Sequence, residues 1–478
     1  MASINIRSVA LINGMVVCGI AFAMFLTLLF DLLFCSGKCI DIFAPSIVAS
    51  VFLGVATILS CKSPKNVSLS RNETFLLVVS LWIIVSIIGA FPFYVYKGVK
   101  LTFISALFES ASGITTTGAT VYPNVEILPR ALNMWRCVLQ FFGGVGVVAI
   151  GMVVLPILKI GGMQLFLTEH PDKAQKFLPR VSQIAGLFVG TYVIIIMFFT
   201  ICLKLCGMNL FDSVCHSVSA ISTTGSSFKN NGIDWYHSGK IQIVISCAMF
   251  VGGLTFIEIV KCFKTGFKSF FKSQQTRGYL KVVVIATLIP VILSIIGGNE
   301  DITIKKICDY IFQVMSAITT TGFDFSRTYN TPPVLIFALA IIGGCSGSTT
   351  GGIKIFRVQI LYAIVKNHIN QMVRPLDVNI PKYQGQKINE GLLKSVISFF
   401  WLLIISFVFS VAFISVISGK DSVKCCYSVV SCLFNLGYDM EFSSFHPLAK
   451  IILISDMIIG RLEIIPIFII FSKAFWRR

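Results

Sequence analysis

Residues 112–118 read Ser-Gly-Ile-Thr-Thr-Thr-Gly, and the pattern of a serine six residues before a glycine recurs three more times, about a hundred residues apart. The other copies are Ser219–Gly225, Ser316–Gly322 and Ser431–Gly437. In the first three copies every residue of the triplet before the glycine is serine or threonine, whereas the fourth copy has Phe434-Asn435-Leu436. Each copy lies between long apolar stretches. The recurrence therefore predicts a chain built from four related units.

The composition is that of a membrane protein. Of the 478 residues, 55% are hydrophobic and 13% are charged, and the mean hydropathy is +0.86. A soluble domain carries about 25% charged residues. The formal net charge of +18 would raise the question of nucleic acid in a soluble protein. Here the basic residues lie in loops between apolar segments, which favours a role in membrane topology and no nucleic-acid partner.

Ten apolar stretches are long enough to cross a bilayer, which takes about 20 residues. They lie near 9–34, 43–61, 74–96, 131–158, 183–206, 240–263, 280–298, 333–366, 392–418 and 448–472. Shorter apolar pieces near 102–114, 209–221, 305–318 and 423–434 each end in the repeated glycine motif. A half-helix that enters the membrane and returns accounts for both the short length and the motif.

We therefore predict an all-α polytopic membrane protein, with two leader helices and four pseudo-fourfold repeats around a central pore. Each repeat consists of a helix, a pore helix, a filter loop and a second helix. The predicted domains are the leader (1–66), repeat 1 (67–170), repeat 2 (171–270), repeat 3 with an intramembrane gate loop (271–385) and repeat 4 (386–478). Basic loops at 261–281 and 366–394, together with Arg477-Arg478, fall on one side. The positive-inside rule then places both termini in the cytoplasm and the glycine motifs on the outer side.

The glycine motifs have the chemistry of a potassium filter. A potassium ion must exchange its hydration shell for a ring of oxygen ligands, which backbone carbonyls supply when glycine allows unusual dihedral angles. Serine and threonine hydroxyls could add ligands or tie each turn to its neighbours. The residues predicted to hold the ion are Thr116, Thr117, Gly118, Thr223, Thr224, Gly225, Thr320, Thr321, Gly322, Asn435, Leu436 and Gly437.

Acidic residues near the motifs leave two interpretations open. Glu109, Asp212, Asp309, Asp439 and Glu441 could concentrate cations at an outer vestibule. Alternatively, some of them cap pore helices or pair with Arg130, Arg136 or Lys305.

A second glycine cluster, at residues 343–352, interrupts the eighth apolar stretch and predicts a flexible gate beneath the filter. Its glycines are Gly343, Gly344, Gly347, Gly351 and Gly352. The pattern differs from a phosphate-binding loop because Ile353 separates the last glycine from Lys354. In the last apolar stretch, Arg461 is costly to insert, so we expect it to face the pore and contact the gate loop. The alternative is a snorkelling arginine paired with Glu463, although residues two apart do not face each other on a helix.

These motifs resemble the Trk/Ktr/HKT superfamily of potassium transporters, and most closely its Trk-type membrane subunit. The resemblance rests on the four glycine motifs and the gate loop, and on three further stretches: Gly143–Gly146, Leu155-Pro156 with Gly161–Leu165, and Gly460–Ile464. It implies potassium uptake across a bacterial cytoplasmic (inner) membrane, by symport or as a channel. It also implies a homodimer with one pore per subunit and a cytosolic nucleotide-binding regulatory ring. Potassium is then the transported ion, and no cofactor is expected.

Two other functions remain as alternatives. A sodium or mixed monovalent-cation transporter would have the same fold, and the departures in the fourth motif bear on the selectivity between potassium and sodium. An intramembrane enzyme would need a nucleophile with a base, or a metal site. The sequence has no His-Glu-x-x-His and no Gly-x-Ser-x-Gly motif, and we predict no catalytic residues.

Overall fold

The computed structural model describes residues 5–35, 37–61, 69–149, 181–266, 270, 273–296, 303–323, 332–375, 380–438 and 441–476. Leu155-Pro156, Gly161–Leu165, Asp439 and Arg477-Arg478 lie outside these residues. Most of the described chain is helical. The described residues also form a two-stranded antiparallel hairpin, which pairs β1 (Lys382–Tyr383) with β2 (Gln386–Lys387).

The helices follow one another in this order: α1 (Ile6–Phe34), α2 (Ile40–Ser60), α3 (Arg71–Gly89), α4 (Phe91–Val95), α5 (Phe103–Ile114), α6 (Arg130–Ala149), α7 (Val181–Leu205), α8 (Leu210–Ile221), α9 (Gly239–Gly252), α10 (Phe256–Thr265), α11 (Gln274–Ile296), α12 (Ile304–Ile318), α13 (Pro333–Ile342), α14 (Ile355–Val373), α15 (Glu390–Ser418), α16 (Ser422–Leu433), α17 (Pro447–Arg461), α18 (Ile465–Phe471) and α19 (Lys473–Trp476). Short 3-10 helices span Gly232–Tyr236 and Phe442–Ser444.

Seven helical segments of the described chain are long and apolar enough to cross a membrane. Six are α1, α2, α6, α7, α11 and α15, and α3 with α4 forms the seventh. The pair α9 and α10 would be an eighth span, but it bends by 103°. These segments confirm the predicted polytopic membrane fold.

Three predicted spans are broken in the structure. The stretch 240–263 bends after Gly252, 333–366 is interrupted at the predicted glycine cluster, and 448–472 breaks after Arg461. At the last break, Glu463 and Ile464 have φ of 59° and 61°. A positive φ is rare for a β-branched residue, and here it coincides with the end of the helix at Arg461.

The pore helices are α5, α8, α12 and α16, and each begins and ends within about one residue of the predicted short apolar piece. Side chains cap three of their amino termini: Thr102, Asn209 and Asp421 accept bonds from backbone N–H groups of the first turn. At 12 to 15 residues, they rise only about 18–22 Å, less than the roughly 30 Å hydrocarbon core.

The chain forms two compact units. The first comprises Met1–Gly144, Thr224–Trp235 and Ser406–Arg478, and the second comprises Val145–Thr223 and Tyr236–Ile405. In the first unit, α1 packs against α2 and α3, while α5 and α16 pack against α17. In the second unit, α8 and α12 pack against α9, and α14 packs against α11 and β1. Two of the four pore helices therefore belong to each unit.

Candidate cation filter

The four glycine motifs share one backbone conformation, which we call the filter turns (116–118, 223–225, 320–322 and 435–437). Gly118, Gly225, Gly322 and Gly437 have φ between 70° and 85°. The residue two positions earlier is also left-handed in every copy, although it is never glycine: Thr116, Thr223, Thr320 and Asn435 have φ between 49° and 55°. Since this region is unfavourable for residues with a side chain, its fourfold recurrence indicates a shared structural requirement. The sequence pattern did not reveal it.

In the first, third and fourth copies, the serine that opens the motif holds the turn in place. The Ser112 carbonyl accepts a hydrogen bond from Thr117 N–H at 2.8 Å, and the Ser431 carbonyl accepts one from Leu436 N–H at 2.8 Å. Its hydroxyl also spans the turn in two copies, since Ser316 Oγ donates to Phe323 O and Ser431 Oγ donates to Tyr438 O. The spacing of six residues thus positions one serine to bond both ends of the turn.

Threonine hydroxyls pair with each other within the first and third turns. Thr115 Oγ1 lies 2.8 Å from Thr117 Oγ1, and Thr319 Oγ1 lies 2.7 Å from Thr321 Oγ1. All four side chains are buried. These hydroxyls therefore brace each of the two turns internally, whereas the sequence had predicted that they would tie a turn to its neighbours or add ion ligands.

Within the first unit, three filter turns approach one another through their glycines. A Cβ on Gly118 would lie 1.8 Å from Thr224 O, and a Cβ on Gly437 would lie 1.8 Å from Thr117 O. In both cases the oxygen is the carbonyl just before the glycine of the neighbouring motif. No side chain fits at such a distance, so glycine is required here for close approach as well as for its dihedral angles.

The fourth turn lacks hydroxyls and is held instead by an amide. Asn435 Nδ2 donates to Thr117 Oγ1 at 2.9 Å and to Met457 O at 3.0 Å. One buried side chain therefore connects the fourth turn to the first turn and to α17. This is the copy whose departures from the motif bear on the selectivity between potassium and sodium.

Two acidic residues near the turns are structural. Glu109 is 3% exposed, and its Oε1 lies 2.8 Å from Arg136 Nε. Its Oε2 accepts bonds from Thr120 Oγ1 and Val121 N–H, both at 3.0 Å, just after the first turn. For Glu109, the structure thus supports the pairing alternative over an exposed vestibule charge.

Asp212 has a similar role on the second pore helix. Its Oδ2 accepts hydrogen bonds from Asn209 Nδ2 at 2.7 Å and from Tyr236 Oη at 2.8 Å. Burial and then the hydrogen bond to Asp212 raise the pKa of Tyr236, so its phenol stays protonated and donates at neutral pH. This carboxylate anchors the loop that follows the second turn.

The gate loop, residues 343–354, contacts two filter turns within the second unit. Thr223 Oγ1 donates to Thr349 O at 2.9 Å, and Gly351 N–H donates to Thr320 Oγ1 at 2.7 Å. Thr349 Oγ1 in turn donates to Ile221 O, the last residue of the second pore helix, at 2.8 Å. The sequence predicted a flexible loop, whereas hydrogen bonds fasten this loop to the turns.

Glycine is needed in the gate loop where its two ends meet. A Cβ on Gly343 would lie 2.5 Å from Gly351 O, and one on Gly352 would lie 2.7 Å from Ala340 O. Arg461 is buried at the end of α17 in the first unit. Its predicted contact with the gate loop stays a prediction.

Comparison with known proteins gives a consistent result. The TrkH family model, described as "Cation transport protein", matches residues 40–478. The chain is 33% identical over 424 residues to the Trk system potassium uptake protein TrkH of Escherichia coli K12, covering 86% of this chain and 87% of that protein. It is 29% identical over 485 residues to the TrkH of Halomonas elongata, covering 99% of this chain and 100% of that protein.

A solved structure agrees over almost the whole length. The crystal structure of the potassium transporter TrkH from Vibrio parahaemolyticus matches with a TM-score of 0.91 and 27% identity, covering 99% of this chain and 100% of that one. Helices, filter turns and gate loop thus occur together in a chain that matches this fold from end to end. The chain belongs to the TrkH family of cation transport proteins.

Proposed function

We propose that this protein takes up potassium through a filter formed by the four turns. The observation that carries the proposal is the close approach of neighbouring turns at two glycines. A Cβ on Gly118 would meet Thr224 O, and a Cβ on Gly437 would meet Thr117 O. Carbonyls brought this close by turns of the same conformation can replace the hydration shell of a monovalent cation. The relatives named as Trk potassium uptake proteins support potassium as the ion.

The pore helices supply an electrostatic contribution that needs no formal charge. Each of them ends at its filter turn, so the negative end of its dipole points toward the turn. Four such ends favour a cation without the tight binding that a carboxylate would cause. Binding that is favourable but not too strong is what conduction requires.

Flux would be controlled by the gate loop. Its hydrogen bonds join Thr223 and Thr320, which are themselves among the residues that we propose as ion ligands. Opening therefore needs these bonds to break or rearrange. Arg461 would contribute by repelling cations while the loop is closed, because a guanidinium stays charged.

The assembly that we propose is a homodimer in a bacterial inner membrane, with both termini in the cytoplasm and a cytosolic nucleotide-binding ring as its regulator. The basic loops near 261–281 and 366–394 support this orientation. The ring would act on the same side as these loops. Its binding to the purified protein can be tested directly.

A liposome flux assay tests the proposed function. The purified protein should carry potassium in preference to sodium under defined potassium, sodium and proton gradients, and should restore growth of uptake-deficient cells at low potassium. Gly118→Ser should lower the ratio of potassium to sodium permeability. Equal permeability of the two ions in the unmodified protein would instead support a mixed-cation transporter, and flux that requires a proton or sodium gradient would identify a symporter.

The gate assignment has its own test. Arg461→Ala should raise the potassium flux of the protein alone, without its regulatory ring, while the permeability ratio stays unchanged. Unchanged flux in this variant would remove Arg461 from the gate. The filter proposal would stand in that case, because it depends on other residues.

A further inference from the structure

A basic cavity of about 930 Å³ lies in the second unit, away from the filter turns. Its walls are the first turns of α11, the middle of α14 and residues 380–382 leading into the hairpin. Four basic side chains line it: Arg277, Lys281, Lys366 and Lys382. The other lining residues are neutral, and several of them can donate hydrogen bonds, including Gln359, Asn367 and Asn370. The cavity is therefore built for an anion.

The three lysines of the cavity have no carboxylate partner within 4 Å among the described residues. Ion pairs elsewhere in the described chain join Glu109 with Arg136, Glu258 with Lys261 and Glu390 with Lys394. None of them involves a lysine of the cavity. Lys281, Lys366 and Lys382 are all exposed. Three like charges around one cavity repel one another unless an anion neutralises them. This arrangement favours binding of a multiply hydrogen-bonded anionic group such as a phosphate.

The cavity lies beside an exposed apolar surface. On α11, Ile285 lies one turn after Lys281 and is 60% exposed, and Leu288 is 50% exposed. On α14, Ile369 lies close to Lys366 and is 54% exposed. Helix α11 is long and apolar enough to span the membrane, and only 17% of its apolar window is buried in the protein. On α11 the exposed apolar surface thus begins just after Lys281, and such a boundary is typical of the level of lipid headgroups.

We infer that this cavity binds the phosphate headgroup of an anionic phospholipid, with the acyl chains on the exposed apolar face of α11. Lys281, Lys366 and Lys382 supply point charges for the phosphate oxygens. A basic pocket at the end of a membrane-spanning helix is suited to such headgroups. A free phosphate would use the same cations but would gain nothing from Ile285 and Leu288. The apolar surface is therefore the reason to favour a lipid.

Binding can be measured without ion flux, so this test stands apart from the proposed function. The full-length protein is purified in detergent, and native mass spectrometry titrates phosphatidylglycerol against phosphatidylcholine. The variant is K281Q/K366Q/K382Q. We expect it to lose affinity for phosphatidylglycerol on the order of a hundredfold, from the charge contribution of three lysines.

Two matched variants control for charge and folding. K97Q/K100Q/K204Q removes the same charge from exposed lysines that do not line the cavity, and should bind phosphatidylglycerol as the unmodified protein does. K281R/K366R/K382R keeps the charge and should retain binding. The thermal unfolding midpoint of each variant in detergent reports its folding.

Four outcomes would overturn the inference. The first is equal phosphatidylglycerol binding by K281Q/K366Q/K382Q and the unmodified protein, and the second is equal binding of phosphatidylcholine and phosphatidylglycerol. The third is displacement of the lipid by inorganic phosphate or glycerol 3-phosphate at concentrations equal to that of the lipid, which would make this a site for soluble phosphates. The fourth is a lysine-dependent complex with a regulatory protein but with no lipid, which would make the cavity a protein-docking surface.

Discussion

The Gly460→Ala substitution tests how the fourth filter turn is held. Gly460 lies in α17, one residue before its end, against the last residue of the pore helix α16. An ideal Cβ at this position would lie 1.9 Å from Leu433 O and 3.0 Å from Asn435 Oδ1. The nearer atom, Leu433 O, belongs to the backbone, so it cannot move aside as a flexible side chain would. Either the helix or the turn must shift.

The size of the shift follows from the structure. An ordinary contact begins at 3.4 Å, so α17 and α16 must separate by about 1.5 Å. Asn435 Nδ2 donates to Met457 O on the same helix at 3.0 Å, and a separation of this size takes that pair beyond hydrogen-bonding distance. Overpacking costs about 1–3 kcal/mol and the lost bond costs about 1 kcal/mol. We therefore expect the free energy of unfolding to fall by about 2–4 kcal/mol.

Flux in liposomes gives the functional result. Gly460→Ala should lower potassium flux and reduce the ratio of potassium to sodium permeability, because Asn435 loses its anchor on α17. Gly190→Ala is the matched control, since it adds the same methyl group to a helical glycine with nothing within 4 Å. If Gly460→Ala keeps the flux and permeability ratio of the unmodified protein, the bond between Asn435 and Met457 does not hold the turn and our reasoning is wrong.

Three further predictions concern neighbouring contacts. Asn435→Leu removes both amide bonds and should lower the permeability ratio in the same assay, and an unchanged ratio would contradict the role of the amide. Glu109→Gln leaves Arg136 buried without its carboxylate and should lower the free energy of unfolding by about 3–5 kcal/mol, measured by thermal unfolding. The double variant Glu109→Gln with Arg136→Met should recover part of this loss, and no recovery would mean that the pair is not coupled. Thr349→Val removes a hydroxyl that bonds the second pore helix and should raise flux through a less firmly held gate loop, so lower or equal flux would refute the gate role of this bond.

The pore helices were predictable from the sequence because two independent constraints coincide on them. An apolar piece of about a dozen residues is too short to cross the membrane, and the serine–glycine spacing marks where it must end. The prediction 209–221 corresponds to α8 (Leu210–Ile221), and 423–434 corresponds to α16 (Ser422–Leu433). Length and motif together therefore fixed both ends of each element.

The breaks in two of the long helices do not follow from hydropathy and need other sequence signals. Hydropathy reports how favourably a segment enters lipid, and it does not report whether the helix continues. The Gly252-Gly253 pair was a visible signal for the bend between α9 and α10. The break between α17 and α18 also has a visible signal, because Pro466 has no N–H for a continued helix and its ring would clash with the carbonyl of Leu462. What the sequence does not record is the φ of 61° at Ile464, which opposes the preference of a β-branched residue.

The fourth filter turn shows how a motif can lose its residues and keep its backbone conformation. In the first and third turns, hydroxyls at the first and third positions of the triplet pair with each other. Phe434 and Leu436 occupy these positions in the fourth turn, so no such pair can form. Asn435 replaces it by bonding across to Thr117, which belongs to the first turn. The first and fourth turns are therefore coupled, and a substitution in either should change the geometry of both. A double-mutant cycle between Thr117 and Asn435 should give a non-additive effect on the permeability ratio, whereas additive effects would mean that the two turns select ions independently.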